Sequence, residues 1–377
     1  MSKAIAVFGS TGTIGENTLQ LIRDYSSLFH VDCLIAGKNI ERLRGQISEF
    51  HPPFVSVERA EDADRLRREF PSLDVGFGEE GLKVAAERPS SEVVVMGIVG
   101  FTALAPTLSA ARAGKTIALA NKESLVVAGT LVKQEALRHG AKILPVDSEH
   151  NALFQLLEGR PRGDVRSLVL TASGGPLLRR PELPLEDVTP AIAIKHPNWK
   201  MGPKISVDSA TLMNKGLELI EACFLFDFSP NDIEVWIHPQ SIIHGAIWLH
   251  DNSCLAQLSK PDMKSSIGYA MHYPARLDGP IPKLTFKDMA QLEFLEPDTI
   301  RFPCLELARE ALKLGPSHLI ALNAANEVAV AKFLEGKLLF PQIPQVIRRV
   351  LERHQARAVD SLNTLFEIDR ESRHASC

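Results

Sequence analysis

Through the first 147 residues, short apolar runs alternate with stretches whose apolar positions recur at helical spacing. The runs lie at 4–8, 31–36, 54–57, 93–96, 116–120 and 143–146. Between them, a segment such as 40–50 carries Leu43, Ile47 and Phe50 on one helical face. This alternation predicts an α/β fold with a Rossmann-like N-terminal domain, a parallel sheet covered by helices on both faces. Beyond 148 the texture changes. Apolar runs at 165–172, 234–238, 246–249 and 254–258 read as strands, the last two joined by a hairpin at Asp251-Asn252. An α+β region with a largely antiparallel sheet is expected there. Residues 275–303 are proline-rich and read as a connector, and helical patterns at 305–314, 320–335, 343–353 and 361–373 predict a C-terminal helical bundle. The expected division is therefore 1–147, 148–274, 275–303 and 304–377.

Composition narrows the class. Hydrophobic content of 45% and a charged fraction of 23% fit a globular enzyme, and 377 residues at roughly 150 per domain allow two or three domains. A net charge of −4 without a long basic run argues against a nucleic-acid partner. The five cysteines are scattered, with no C-x-x-C pair, which suits reduced thiols and a cytoplasmic setting. The chain enters a strand directly after Met1-Ser2-Lys3, so neither a leader nor a membrane partner is expected.

Candidate chemistry begins at Gly9-Ser10-Thr11-Gly12-Thr13-Ile14-Gly15, a glycine turn between a strand and a helix. Such a turn lets backbone approach a pyrophosphate at a helix N-terminus. Its G-x-x-G-x-x-G spacing matches the usual dinucleotide fingerprint only loosely, and its place after the first strand strengthens the reading. The second strand ends Ala36-Gly37-Lys38-Asn39, where a carboxylate would select NADH and Lys38 can instead pair with a 2′-phosphate. NADPH is favoured, the plain alternative being that Lys38 caps a surface loop. Asn121-Lys122-Glu123 stands beyond another strand end, where open α/β sheets bind ligands, and also reads as a helix start.

A second constellation is acidic. Asp147-Ser148-Glu149 follows an apolar strand, and if the strand continues, Asp147 and Glu149 share one of its faces. With Glu218 they form a hard-donor set suited to Mg²⁺ or Mn²⁺ (Co²⁺ is a further candidate). Ser206 to Glu218 leads into a helix expected to run to about 226, with Asn214 and Lys215 in its first turn as an anion site. The plain alternative for Lys215 and Glu218 is an i,i+3 salt bridge on a solvated face. Thr171-Ala172-Ser173-Gly174-Gly175-Pro176 is either a phosphate turn or an ordinary Gly-Pro turn. Between Ser173 and Ser206 lie six prolines, which marks 174–205 as a lid carrying His196 and Trp199.

Together GSTGTIG at 9–15, ANKESLV at 120–126, PVDSEHNALFQ at 145–155, TASGGP at 171–176, KHPNWKMG at 195–202, ISVDSATLMNKGLELIEA at 205–222 and HPQSIIHG at 238–245 resemble the 1-deoxy-D-xylulose 5-phosphate reductoisomerase family. The resemblance implies an NADPH domain, a catalytic domain with a mobile lid, a helical C-terminal domain and a homodimer. It implies Asp147, Glu149 and Glu218 as metal ligands. It also implies substrate contacts from Lys122, Ser148, Glu149, Ser173, His196, Trp199, Ser209, Asn214, Lys215 and Glu218. Thr11, Gly12, Thr13, Ile14, Gly37, Lys38, Asn39, Asn121, Glu123 and Gly202 would line the cofactor. Thr13, Lys200, Pro203 and Gly245 depart from residues common in the family, which touches lid behaviour and affinity and leaves the reaction intact.

The implied reaction converts a keto sugar phosphate, 1-deoxy-D-xylulose 5-phosphate, to 2-C-methyl-D-erythritol 4-phosphate for isoprenoid precursor synthesis. The carbon skeleton rearranges by retro-aldol and aldol steps or by a 1,2-shift, and the resulting aldehyde is reduced at the expense of NADPH, with Lys122 binding substrate or moving a proton. A rival enzyme reading is an NADPH reductase of another phosphorylated keto sugar or aldehyde. A rival from another class is a nucleotide-sensing scaffold, in which the acidic trio would be dispensable.

Overall fold

The computed structural model describes residues 2–199 and 201–377; Lys200, expected in the lid, lies outside them. The chain forms two compact units interleaved in sequence. The first comprises Met1–Ser124, Thr130–Asn151 and Asp262–Pro282, and the second comprises Leu125–Gly129, Ala152–Pro261 and Lys283–Cys377.

The first unit is built on seven parallel strands, β1 (Lys3–Phe8), β2 (Phe29–Ile35), β3 (Phe54–Val57), β4 (Asp74–Phe77), β5 (Val93–Met96), β6 (Thr116–Leu119) and β7 (Lys142–Pro145), in the order β4-β3-β2-β1-β5-β6-β7. Six of these follow the apolar runs. β4 escapes that reading because Asp74-Val75-Gly76-Phe77 is an edge strand with a single buried residue, Val75. Strand order reverses between β1 and β5, so a crevice opens beyond their carboxyl ends, the usual place for a dinucleotide in such sheets.

Residues 262–282 were expected with the regions beyond 148, yet they join this first unit. The reason is a close helix contact. Gly268, in the helix Lys264–His272, lets it approach Leu21 of the helix Thr13–Asp24, whose methyl carbon lies 3.7 Å from where a side chain on Gly268 would begin. Lys3 Nζ donates to the Met271 carbonyl at 3.3 Å and Tyr25 Oη to the Asp278 carbonyl at 2.7 Å, fixing the segment at both ends.

The second unit holds β8 (Val165–Ala172), β9 (Ile233–Ile237), β10 (Ile243–Leu249) and β11 (Cys254–Leu258), ordered β11-β10-β8-β9. Pairs β10/β11 and β8/β10 are antiparallel and β8/β9 is parallel, which agrees with a largely antiparallel sheet. Asn252 supplies the positive φ, +67°, in the hairpin turn. Helices Cys304–Leu314, Pro316–Leu334, Gln342–Arg353 and Leu362–Ala375 pack together as the predicted bundle, with Pro316–Leu334 apolar around most of its circumference and buried at the centre. The helix Met213–Phe226 seats against Cys304–Leu314 through Gly216, where a Cβ would meet the Ala308 methyl at 2.6 Å. Among the described residues no helix is long and apolar enough to cross a membrane.

At the end of the sheet opposite the ligand crevice, Asp32 accepts hydrogen bonds from Arg88 Nε and Ser90 Oγ, both at 2.9 Å, and from Ser91 Oγ at 2.5 Å. Burial pushes the Asp32 carboxyl up, and the bonds from Arg88, Ser91 and Ser90 outweigh it, so the group titrates below the usual carboxylate range. A depressed folded pKa contributes stability above the unfolded value and loses it as pH falls through the folded one. Asp32→Asn is expected to cost about 2 kcal/mol at neutral pH, with the difference from wild type shrinking below about pH 4, as measured by urea unfolding across that range. The glycine turn gives a second expectation. A Cβ on Gly15 would sit 2.4 Å from the Gly9 carbonyl oxygen and 2.4 Å from Ser10 Cα. Gly15→Ala must therefore push the helix off the turn, and NADPH affinity measured by fluorescence titration falls by about tenfold or more.

Candidate active site

In the first unit the predicted residues gather at the carboxyl ends of the strands. Gly9, with φ +78°, begins the turn after β1, and its amide and that of Ser10 both donate to the Ile35 carbonyl at 2.9 Å. Gly12 caps the helix Thr13–Asp24, so Thr11, Gly12, Thr13 and Ile14 lie at a helix N-terminus. Gly37, Lys38 and Asn39 follow β2, with Asn39 capping the helix Ile40–Phe50 by accepting from the Arg42 amide at 3.2 Å. A carboxylate does stand nearby, from a place the second strand alone did not reveal. Glu58, just past β3, has an oxygen 3.6 Å from where a side chain on Gly37 would begin.

Beyond β6, Asn121 caps the helix Lys122–His139, accepting from the Ser124 amide at 2.9 Å and donating to the Gly100 carbonyl at 3.0 Å and to Glu123 at 2.9 Å. Asn121, Lys122 and Glu123 are all buried. Lys122 Nζ reaches Asp147 Oδ2 at 2.5 Å, so the ends of β6 and β7 are bridged by charge.

One geometric expectation needs correcting. Asp147 and Glu149 are not alternate residues of a strand, because β7 ends at Pro145 and a helix occupies Ser148–Leu157. The Asp147 carbonyl accepts from the Asn151 amide at 2.8 Å, so Asp147 starts the helix and Glu149 lies in its first turn, its carboxylate taking the Ser148 hydroxyl at 2.6 Å. The helix also brings up a residue that strand periodicity hides. His150 is fully buried, with a ring nitrogen within 4.8 Å of an Asp147 carboxylate oxygen. The signal was the D-x-x-H spacing, which places the two one helical turn apart.

In the second unit the stretch from Ser206 to Glu218 leads into the expected helix by way of an earlier one. Pro203–Ala210 ends at Thr211, Leu212 takes a left-handed φ of +61°, and Met213–Phe226 begins anew. Ser209 thus belongs to the first helix, and Asn214 and Lys215 to the opening turn of the second. Glu218 accepts from Lys215 Nζ on one oxygen and from Asn214 Nδ2 on the other. The solvated-face alternative fails here, because the side chains of Lys215 and Glu218 are only 3% and 1% exposed. Burying an ion pair costs several kcal/mol per ion in desolvation, so a merely structural role is better met by apolar packing.

Ser173 follows β8, and its Oγ lies 2.7 Å from His196 Nε2. The other ring nitrogen, Nδ1, accepts the amides of Asn198 at 3.2 Å and Trp199 at 3.0 Å. Two donors on Nδ1 fix the tautomer: Nε2 carries the proton and donates to Ser173. His196 therefore organises its own loop, and Trp199 stands partly exposed with its ring 6.3 Å from that of His244. Gly202 caps the helix Pro203–Ala210 and is exposed.

The carboxylates supply hard oxygen donors, and Asp147 and Glu218 are each held by a lysine ammonium. A divalent cation fits such groups, since it replaces a monovalent partner with a stronger one. His150 adds an imidazole, which Mn²⁺ tolerates better than Mg²⁺.

Comparisons with known proteins agree over the whole chain. The family model for 1-deoxy-D-xylulose 5-phosphate reductoisomerase matches residues 5–129, and two models of its C-terminal domains match 143–226 and 258–375. A curated 1-deoxy-D-xylulose 5-phosphate reductoisomerase of Lysinibacillus sphaericus is 46% identical over 98% of both chains. That of Pelotomaculum thermopropionicum is 47% identical over 99% of this chain and 97% of its own. A crystal structure of a DOX-P reductoisomerase in complex with NADPH, fosmidomycin and magnesium superposes with a TM-score of 0.95 at 39% identity, covering 99% of this chain and 97% of that one. The Zymomonas mobilis reductoisomerase in complex with NADPH gives 0.92 at 39% identity, covering 100% of this chain and 98% of that one.

Replacing His196 with Leu should free two loop amides and the Ser173 hydroxyl. With Trp236 and Trp248 changed to Phe, the remaining Trp199 emission is expected to move to longer wavelength on His196→Leu; an unmoved spectrum would show that the ring does not order the loop.

Proposed function

The chain belongs to the 1-deoxy-D-xylulose 5-phosphate reductoisomerase family, and we propose that it rearranges and reduces 1-deoxy-D-xylulose 5-phosphate to 2-C-methyl-D-erythritol 4-phosphate with NADPH and a divalent cation. The observation that carries this reading at residue level is the buried Lys215–Glu218 pair, joined by half-buried Asn214, in a chain that matches reductoisomerases end to end. Whole-chain identity near 46% to reductoisomerases disfavours a reductase of some other sugar phosphate, and an intact acidic trio, Glu218 buried and Asp147 and Glu149 half-buried, disfavours a scaffold.

When bound, the cation polarises neighbouring substrate oxygens as a Lewis acid and NADPH supplies the reducing equivalent. Asp147, Glu149 and Glu218 hold the cation, which is Mg²⁺ or Mn²⁺. Lys122, drawn to Asp147, places an ammonium beside the substrate's oxygens, with Ser148 and Glu149 fixing its hydroxyls. Ser173, His196, Ser209, Asn214 and Lys215 grip the phosphate end, whose remote binding energy orients the reacting carbons. Residues 174–205 close over the site, Trp199 excluding water. Thr11, Gly12, Thr13, Ile14, Gly37, Lys38, Asn39, Asn121, Glu123 and Gly202 bind the cofactor, and Lys38 offsets Glu58 to favour a 2′-phosphate. By role the chain divides into a cofactor region at 1–147, a catalytic region at 148–274, a connector at 275–303 and a helical region at 304–377. The enzyme works as a cytoplasmic homodimer.

The test is NADPH oxidation with 1-deoxy-D-xylulose 5-phosphate, with and without chelator. Turnover that stops with chelator and returns with Mg²⁺ or Mn²⁺ is expected. Glu218→Gln should lower turnover by about a hundredfold or more while NADPH affinity stays near wild type. A variant with wild-type turnover in metal-limited buffer removes Glu218 from the site.

A further inference from the structure

Asp208 is a buried carboxylate, 1% exposed, that no step of the reaction uses. It lies on the helix Pro203–Ala210, next to Ser209. Lys204 Nζ, one turn earlier, reaches its Oδ2 at 2.8 Å, and Asn326 Nδ2 donates to its Oδ1 at 2.9 Å. Asn326 is fully buried on the central C-terminal helix Pro316–Leu334. Both carboxylate oxygens are thus engaged, one by a residue of its own helix and the other by a distant one.

The main chain at Asp208 is also committed. Its carbonyl accepts the Thr211 hydroxyl at 3.1 Å, and that hydroxyl accepts the Met213 amide at 3.3 Å. These bonds span the left-handed break at Leu212, after which Asn214 and Lys215 open the next helix. On the other side, the carbonyl of Ser209 lies 2.8 Å from where a side chain on Gly175 would begin, so the end of this helix packs against the turn that carries Ser173. Ser173, Ser209, Asn214 and Lys215 all take their positions from a helix end that Asp208 anchors to the C-terminal bundle.

From this juxtaposition we infer that Asp208 is a positioning residue for the phosphate grip, held by Asn326 and Lys204. The inference rests on the assignment of those four residues to the substrate's phosphate end. Loosening the anchor lets the grip drift and weakens binding of the sugar phosphate, while Asp147, Glu149 and the nucleotide turn keep their own supports and Glu218 keeps its bonds to Asn214 and Lys215 within one helix. An anion grip built on backbone and short polar side chains is sensitive to shifts well under an ångström.

The test uses the full-length, Mg²⁺-loaded enzyme with Asp208→Asn and, separately, Lys204→Met, which alters a partly exposed side chain and keeps the core. In both, KM for 1-deoxy-D-xylulose 5-phosphate should rise by about five- to tenfold, with kcat within about twofold of wild type and NADPH affinity unchanged. Should Asp208→Asn not fold, Lys204→Met decides alone. An unchanged KM in a folded variant overturns the positioning role, and so does a fall in kcat and NADPH affinity along with it, which marks a general loss of structure. Wild-type turnover in the same assay tests the functional reading separately, so the two can fail independently.

Discussion

A carboxylate removed from water needs a cation and hydrogen-bond donors in place of its solvent, or it costs several kcal/mol. Glu218 satisfies that demand within a single turn and a half of helix, taking Lys215 on one oxygen and Asn214 on the other. The second unit fixes the start and the packing of the helix that carries it. The left-handed residue Leu212 sets where the helix begins, and Gly216 allows the helix to press against Cys304–Leu314. Apolar side chains would fill the same volume at less cost, so the chain retains a charged cluster that packing does not require.

The first unit meets the same constraint differently. Asp147 sits between the end of β7 and a new helix, and Lys122 reaches it from the end of β6. On the proposed reading both lysines are interim partners whose charge a divalent ion would outweigh. On that reading they would stay beside the anionic substrate once displaced.

How much of this the sequence discloses follows from the range of each signal. The strands of both sheets and the four C-terminal helices are legible because their apolar periodicity is local. β4 is not, since an edge strand with only Val75 buried carries no period to detect. The placement of 262–282 depends on Gly268 meeting Leu21, a contact between residues far apart in the chain. At the site, the residue types and motifs were readable, and the local geometry was misjudged once. Asp147-Ser148-Glu149 looked like a strand continuing past Val146, whereas the chain turns into a helix there and brings up His150. The helix start at Asn214 and Lys215 was readable, whereas nothing in Thr211-Leu212 signals the positive φ that separates it from Pro203–Ala210. The burial of Lys215 and Glu218, which decides between a site and a surface salt bridge, is a tertiary property that i,i+3 spacing alone does not carry.

The central proposal is that Asp147, Glu149 and Glu218 together coordinate one divalent ion. Anomalous diffraction from crystals grown with Mn²⁺ and NADPH tests it most directly. The account predicts one strong peak per chain bonded to oxygens of all three carboxylates, with Lys122 and Lys215 displaced from their present partners. A peak bonded elsewhere, or both lysine pairs unchanged beside a bound ion, would contradict it.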